Sequence, residues 1–259
     1  MADFRLRREE VLDGERLTAM LEESPARAAQ AILIAAGEGV LEAQALLGQI
    51  LLDGHGIAQD QPLALRWFEI AAGQGHLMAR NMLGRCHEHG WGCAADASAA
   101  AGHYRIAARA GLDWAMYNFA NLLATGRGVA ADHLQALDLY RRAAEAGHAK
   151  SMNLLGRYLE EGQVCRQDLA AAHDWYRRSA EGGDFRGQFS HAAILAEAGR
   201  ITDALHWLDK ALVHGNMNFL RVASEALLAS PHAKIRAMAG AYRQRLCALE
   251  TESPALHRP

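Results

Sequence analysis

Two cysteines and two histidines fall within eight residues of the chain, in the stretch CHEHGWGC from Cys86 to Cys93. Thiolate and imidazole groups are common zinc ligands in proteins. A third histidine, His103, follows at a spacing that would bring it opposite His87 on a neighbouring helix. The residue types alone therefore suggest a metal site made of Cys86, His87, Cys93 and His103.

The overall composition restricts the classes of function. The chain has 259 residues and a formal net charge of -3, with no basic run of the kind that binds nucleic acid. Its most apolar run, residues 31–36, is far shorter than the roughly 20 residues that cross a bilayer. The N-terminus lacks an apolar signal core, and four cysteines are too few for a disulfide framework. We expect a cytoplasmic protein with reduced thiols that binds neither nucleic acid nor membranes.

Motifs of catalysis are missing from the sequence. It contains no GxSxG, no GxxxxGK[ST] and no HExxH, and its serine, histidine and aspartate residues share no register. We therefore predict that the protein is not an enzyme and carries no cofactor.

An internal repeat is the strongest pattern in the chain. Apolar residues recur at i, i+3 and i+4 throughout, which predicts helices and no strands. Four 36-residue segments align without a gap, and a fifth is four residues shorter. These five units are 41–76, 77–112, 113–148, 149–184 and 185–216.

Each unit has the landmarks of two antiparallel helices. A Leu-Gly pair in the first helix, as in Leu83-Gly84, would let the second helix approach closely. An aspartate precedes every second helix from repeat one to repeat four and is predicted to be its N-cap. Glycines such as Gly54 and Gly215 follow the helix ends, where they accept a left-handed backbone. Aromatic pairs such as Trp67-Phe68 and Trp175-Tyr176 are predicted to be core.

The pattern LGxxxxxGxGVxxDxxxAxxWYxxAAxxG resembles the SEL-like repeat (SLR) family, a branch of the tetratricopeptide-repeat (TPR) superfamily. The resemblance implies an all-α fold, a right-handed α-solenoid of stacked antiparallel helix pairs. It also implies an adaptor that holds other proteins in a concave groove.

The two ends of the chain are predicted to close such a stack. Residues 1–40 would form N-terminal capping helices with a partial repeat, and the first 24 of them one charged helix. Residues 217–250 would form a C-terminal capping helix pair. The final segment, 251–259, is predicted to be disordered.

Repeat register gives a second interpretation of the CHEHGWGC stretch. Cys86 stands where the other repeats have Ile50, Leu122 and Tyr158, and His103 stands where they have tryptophan or leucine. Buried free cysteine is common packing material. The register therefore favours ordinary packing, and a metal-binding protein centred on repeat two stays as an alternative.

The resemblance also places a binding groove, because the first helices of related arrays line the concave face. The exposed positions there would lie three before and one after the Leu-Gly glycine. Carboxamides in this groove could pair with a peptide backbone, and arginines could bind carboxylates. The predicted partner-binding residues are Asn81, Arg85, Trp114, Tyr117, Asn121, Asn153, Arg157 and Arg186.

Acidic residues such as Glu42, Asp53 and Glu160 reach the same surface, so the groove is mixed in sign. This mixture favours a folded partner, or a peptide with its own charge pattern, over a uniformly charged tail. We therefore expect a non-catalytic scaffold that binds a protein or peptide partner. The alternative to a general adaptor is an accessory subunit of one cytosolic enzyme.

Overall fold

The computed structural model describes residues 23–252, and within this range the chain forms thirteen α-helices and no strand. In chain order they are α1 (Pro25–Gly37), α2 (Leu41–Asp53), α3 (Gln61–Gly73), α4 (Leu77–His89), α5 (Ala97–Arg109), α6 (Asp113–Thr125), α7 (His133–Glu145), α8 (Ala149–Glu161), α9 (Leu169–Glu181), α10 (Phe185–Glu197), α11 (Ile201–His214), α12 (Met217–Leu228) and α13 (Ala233–Glu252).

The helix ends follow the capping chemistry that the sequence predicts. Each predicted N-cap aspartate accepts a hydrogen bond from a backbone N–H in the first turn of its helix. The first helices of repeats one to four end at left-handed glycines, for example Gly54 with φ 72°. Gly215 departs from this expectation, because it ends α11 in an extended conformation with φ -66°. The aspartates that cap the second helices of repeats one to four are Asp60, Asp96, Asp132 and Asp168.

Sequence reasoning missed a second set of caps. The ring nitrogen Nδ1 of His76 accepts from the backbone N–H of Ala79 at 3.0 Å, at the start of α4. His148 plays the same role at the start of α8. A histidine in the turn between repeats therefore starts the first helix of the next repeat.

The Leu-Gly glycines do allow close helix contact. A Cβ atom added at Gly84 would meet the ring of Tyr104 at 2.5 Å, and one at Gly156 would meet the ring of Tyr176 at 2.7 Å. Gly48 has the same relation to Phe68. The glycine and the second aromatic of the next helix thus form one packing unit, repeated along the chain.

The prediction that the paired residues at this register are core is confirmed for the second member of each pair, whereas the first member varies: Leu139 is buried, and Trp67 packs against the core cluster while partly exposed. Phe68 and Tyr176 are buried, whereas Trp67 and Trp175 are only partly buried. The guanidinium of Arg178 lies 4.0 Å from the centroid of the Trp175 ring. Adjacent helical residues point about 100° apart, so the tryptophan lies at the edge of the contact that the second aromatic makes with the partner helix.

The chain divides into two compact units between Leu139 and Tyr140. In the first, a buried cluster from Ala29 to Cys86 joins α1 through α4. In the second, buried residues from Ala192 to Tyr242 join α10 through α13. The Tyr242 hydroxyl donates to the backbone carbonyl of Leu208 at 2.8 Å, which ties α13 to α11.

The ends of the chain bear on two predictions. Helix α13 continues to Glu252, so disorder is the wrong prediction for residues 251 and 252. Residues 253–259 and the predicted charged helix over residues 1–22 lie outside the described residues. The capping roles of 1–40 and 217–250 stay predictions.

Candidate functional site

His87 and His103 meet between α4 and α5, as the repeat register predicts. Their rings stack with centroids 5.3 Å apart and planes within 6° of parallel. The Cys93 Sγ lies 3.6 Å from His87 Nδ1 and also 3.7 Å from the backbone carbonyl of Cys86. Burial raises the pKa of Cys86 to about 12. Its thiol is therefore protonated at neutral pH when no metal is bound.

Repeat four shows that the cysteine contacts need no metal to explain them. Cys165, at the register of Cys93, donates to the backbone carbonyl of Tyr158 at 3.5 Å. Both thiols thus hold the loop against the end of the first helix. In residues 23–252, no group of three or more His, Cys, Asp or Glu side chains is arranged to hold a metal ion.

The histidine stack instead buries an imidazole. His103 Nδ1 has no hydrogen-bond partner among the described residues. Burial lowers the pKa of His103, and the charges of His87 and Arg80 lower it further. The side chain is consequently neutral in the folded protein at neutral pH.

Two predicted groove residues are buried rather than exposed. Asn81 is 2% exposed and Asn153 is 8% exposed, so the prediction that these positions face solvent is wrong. Asn118 Nδ2 donates to Asn81 Oδ1 at 2.9 Å, and Ser190 Oγ donates to Asn153 Oδ1 at 3.1 Å. These bonds join first helices of successive repeats, and a buried amide needs such a partner.

The signal that could have revealed these bonds is their spacing. Each pair is separated by 37 residues, one more than the repeat length. Polar residues one repeat plus one position apart lie on facing sides of adjacent first helices. Asn118 and Ser190 were not singled out from the sequence.

The other predicted groove residues keep some exposure. Trp114, Arg157 and Arg186 are exposed, whereas Arg85, Tyr117 and Asn121 are partly buried. The guanidinium of Arg85 lies 4.9 Å from the centroid of the Trp91 ring. Arg85 is thereby directed onto the loop of its own repeat.

A cleft in the second unit brings three of the predicted residues together. It has a volume of about 290 Å³ and lies between α8, α10 and α12. We call it the polar cleft and define it by the lining residues Asn153, Arg157, Arg186, Phe189, Asn218 and Val222.

Two guanidinium groups at this cleft are only weakly engaged by the protein itself. Arg157 Nε lies 3.6 Å from the Glu161 carboxylate, and both side chains are about half exposed. Such a pair contributes about 0–1 kcal/mol, so Arg157 can exchange it for another carboxylate. Arg186 lies over the Phe185 ring at 4.6 Å from its centroid. Glu160 accepts a hydrogen bond from the Tyr176 hydroxyl at 2.7 Å, which orients that carboxylate.

A second and larger cleft adjoins the polar cleft, and sequence reasoning missed it. It has a volume of about 490 Å³ and lies between α10, α12 and the start of α13. Phe189 and Ala226 line both clefts. We call it the apolar cleft, lined by Ala192, Ala196, Leu227, Pro231 and Ile235, with Glu197 also present.

Comparison with solved structures shows the fold. A Sel1 repeat protein from Oxalobacter formigenes matches at 23% identity with a TM-score of 0.73, over 91% of this chain and 99% of that one. A protective antigen of uropathogenic Escherichia coli with an SLR fold matches at 23% identity and a TM-score of 0.66, over 94% of this chain and 54% of that one. An immunity protein from Pseudomonas aeruginosa matches at 14% identity and a TM-score of 0.53, over 85% of this chain and 89% of that one.

These neighbours confirm the predicted all-α solenoid class, and at such identities the likeness extends to the fold alone. No curated protein matches the sequence at a significant level. Among the described residues, no helix combines the length and apolar character needed to cross a membrane. The Sel1 repeat model matches four segments, 41–76, 77–112, 115–148 and 149–184, which together make up more than half of the chain. The protein therefore belongs to the Sel1 repeat family.

Proposed function

We propose that the protein is a non-catalytic scaffold that binds a partner protein or peptide, and that the polar cleft is a principal contact. Sel1 repeats generally mediate protein–protein interaction and generally form a non-catalytic scaffold. The observation that carries the proposal is the pairing of Arg157 and Arg186 with apolar side chains in one cleft. Val222, which lines the same cleft from α12, is 61% exposed. Arginine beside an exposed apolar side chain is typical of contact points in protein interfaces.

The predicted groove residues take two roles in this proposal. Arg157 and Arg186 contact the partner, since both are exposed and line the cleft. Asn153 acts indirectly, by holding α8 and α10 at a set spacing through Ser190.

Within the first unit, Asn81 would hold α4 and α6 in the same way through Asn118. Trp114, Tyr117 and Asn121 form a second proposed contact surface there, whereas the predicted contact residue Arg85 lies over the Trp91 ring of its own loop. Trp114 is 40% exposed and would be the aromatic anchor of this surface.

We further propose a cytoplasmic location. All four cysteines are free thiols, and a reducing compartment keeps them so. An accessory subunit of a cytosolic enzyme would use the same binding chemistry with a particular enzyme as partner.

The test is affinity capture from host lysate, read by mass spectrometry, with the Arg157→Glu/Arg186→Glu double variant beside the wild type. Charge reversal at exposed arginines spares the buried amide bonds, which alanine at Asn81 or Asn153 would break. The matched control is Arg141→Glu/Arg166→Glu, which makes the same charge change at exposed positions outside the cleft.

A partner retained by the wild type and the control, and reduced at least about tenfold by the cleft variant, is expected. A tenfold change corresponds to about 1.4 kcal/mol, which one lost charged contact can supply. Circular dichroism checks that all variants are folded. Equal capture of every partner by the two double variants would contradict a role for the polar cleft.

A further inference from the structure

The polar and apolar clefts are parts of one trough between α10 and α12. Along α10, the lining residues run from Arg186 through Phe189 to Glu197. Along α12 they run in the same direction, from Asn218 through Ala226 to Leu227. Because Phe189 and Ala226 line both clefts, the trough is continuous along the two helices.

The two ends of this trough carry opposite charges. Arg186, near the N-terminus of α10, lies at one end, where it can bind a carboxylate, and Arg157 of α8 lines the same cleft. Glu197, exposed at the C-terminal end of α10, lies at the other. The carbonyl groups that end a helix add partial negative charge there, so a cation is favoured beside Glu197.

The middle of the trough is apolar. Phe189, Ala192 and Ala196 come from α10, and Leu227 and Ile235 come from the facing side. A volume of about 490 Å³ in the apolar cleft exceeds what one aliphatic side chain fills. The apolar cleft can therefore hold two apolar side chains of a bound segment rather than an isolated ion.

The length of the trough sets the spacing of the charges. Arg186 and Glu197 are eleven residues apart on one helix, which is about 16 Å at 1.5 Å per residue. An extended peptide advances about 3.3 Å per residue, so it covers this distance in about five residues.

We propose that the trough binds an extended peptide segment with an acidic residue beside Arg186, apolar residues over Phe189 and Ala192, and a basic residue beside Glu197. The acidic and basic residues lie about five positions apart. This inference rests on the proposed function, since it names the kind of partner segment that the scaffold takes.

The test uses the full-length protein and an array of fluorescent ten-residue peptides. Each has an apolar Leu/Val core between one Asp and one Lys, at separations from three to seven residues. Companion peptides replace the Leu/Val core by Ser, or carry Asp at both ends or Lys at both ends. Because the last two kinds of companion peptide carry the same charge at both ends, their affinity does not depend on the direction in which the peptide binds the trough.

We expect the highest affinity at a separation near five, with at least a tenfold loss when the core is Ser. Glu197→Lys should shift the preference toward peptides with Asp at both ends. Arg157→Glu/Arg186→Glu should shift it toward peptides with Lys at both ends. Glu225→Lys, the same charge change at an exposed α12 residue that lines neither cleft, should behave as wild type.

Absence of binding above the Ser-core peptides, or an unchanged charge preference in Glu197→Lys, would overturn the inference. Its failure is distinguishable from that of the proposed function. If lysate capture depends on Arg157 and Arg186 while the array shows no spacing preference, the scaffold stands and the peptide assignment falls.

Discussion

Repeats two and four share a side-chain arrangement, yet they use their arginines differently. In both, a second-helix tyrosine donates to a first-helix glutamate: Tyr104 to Glu88 at 2.6 Å, and Tyr176 to Glu160 at 2.7 Å. In repeat two, Glu88 also forms an ion pair with Arg127.

The difference between the two arginines follows from the loop of each repeat. In repeat two, Arg85 lies over the ring of Trp91 at the loop tip. Repeat four has Gln163 at that register, and its arginine, Arg157, has a side chain that is 57% exposed. Tyrosine and glutamate therefore belong to the shared architecture, whereas the residue at the loop tip decides whether the arginine is used internally or left to face a partner.

The largest effect on this shared architecture is expected from the packing glycines. Gly84→Ala and Gly156→Ala would each force a Cβ into a tyrosine ring, at 2.5 and 2.7 Å. Overpacking of this kind costs about 1–3 kcal/mol, of which the higher helix propensity of alanine recovers up to about 1 kcal/mol. Urea denaturation should show both variants to be less stable than the wild type.

Gly102→Ala is the matched control for these variants, since a Cβ at this helical glycine meets nothing within 4 Å. It should leave stability unchanged or raise it by about 0.5–1 kcal/mol. If the Gly84 variant were as stable as the Gly102 variant, the glycine–tyrosine contact would not hold the two helices together.

Glu88→Ala should destabilise the protein more than Glu160→Ala does. The Glu88 side chain is 12% exposed and binds both the hydroxyl of the buried Tyr104 and Arg127. Its loss leaves a buried hydroxyl without an acceptor, at a cost of about 1–3 kcal/mol. Glu160 is exposed and Tyr176 lines a cleft, so water can replace the lost bond there. If the two variants lowered the melting temperature equally, burial of the glutamate would not account for a difference between repeats two and four.

A pH dependence is expected from repeat two, because burial lowers the pKa of His103 from its usual 6.5. Below pH 6.5, His103 binds a proton in the unfolded chain but stays neutral in the folded protein until the pH reaches its lower folded pKa. The free energy of unfolding therefore falls as the pH falls. Stability is thus retained above pH 6.5 and is lost on acidification toward the lower folded pKa. His103→Leu, which restores the leucine found at Leu139, should reduce the stability difference between pH 7.5 and pH 5.5.

His191 also has a lowered pKa through burial, so part of the acid sensitivity will remain in the His103→Leu protein. An unchanged pH profile in that variant would mean that the stacked pair contributes nothing to it.

The smallest effects are expected from the two loop cysteines. Cys93→Ser and Cys165→Ser each keep a donor toward the same backbone carbonyl, so each should change stability by less than about 1 kcal/mol. A chelator should leave the melting temperature of the wild type unchanged. If the chelator lowered the melting temperature of the wild type but not that of Cys93→Ser, repeat two would hold a metal ion. The loops of repeats two and four would then differ in function.

The structure shows which inferences the sequence could support and which it could not. Helix pairing, the aspartate caps and the close approach at Gly84 were predictable, because each depends on residues at short range or at a fixed period. The burial of Asn81 was not, since polarity alone suggested solvent. Only the position of Asn118 on the next first helix shows that the amide is paired.

The repeat length, the pairing of helices, the aspartate caps and the membership of the Sel1 repeat family can all be recognised from the amino-acid sequence. Local capping and 3.6-residue periodicity act within one unit, so they can be read without coordinates. The burial of particular polar residues, the stacking of the two histidines and the trough lined by Arg186, Phe189 and Glu197 become visible in three dimensions. These outcomes depend on side chains from different helices meeting in space, and no local pattern encodes that meeting.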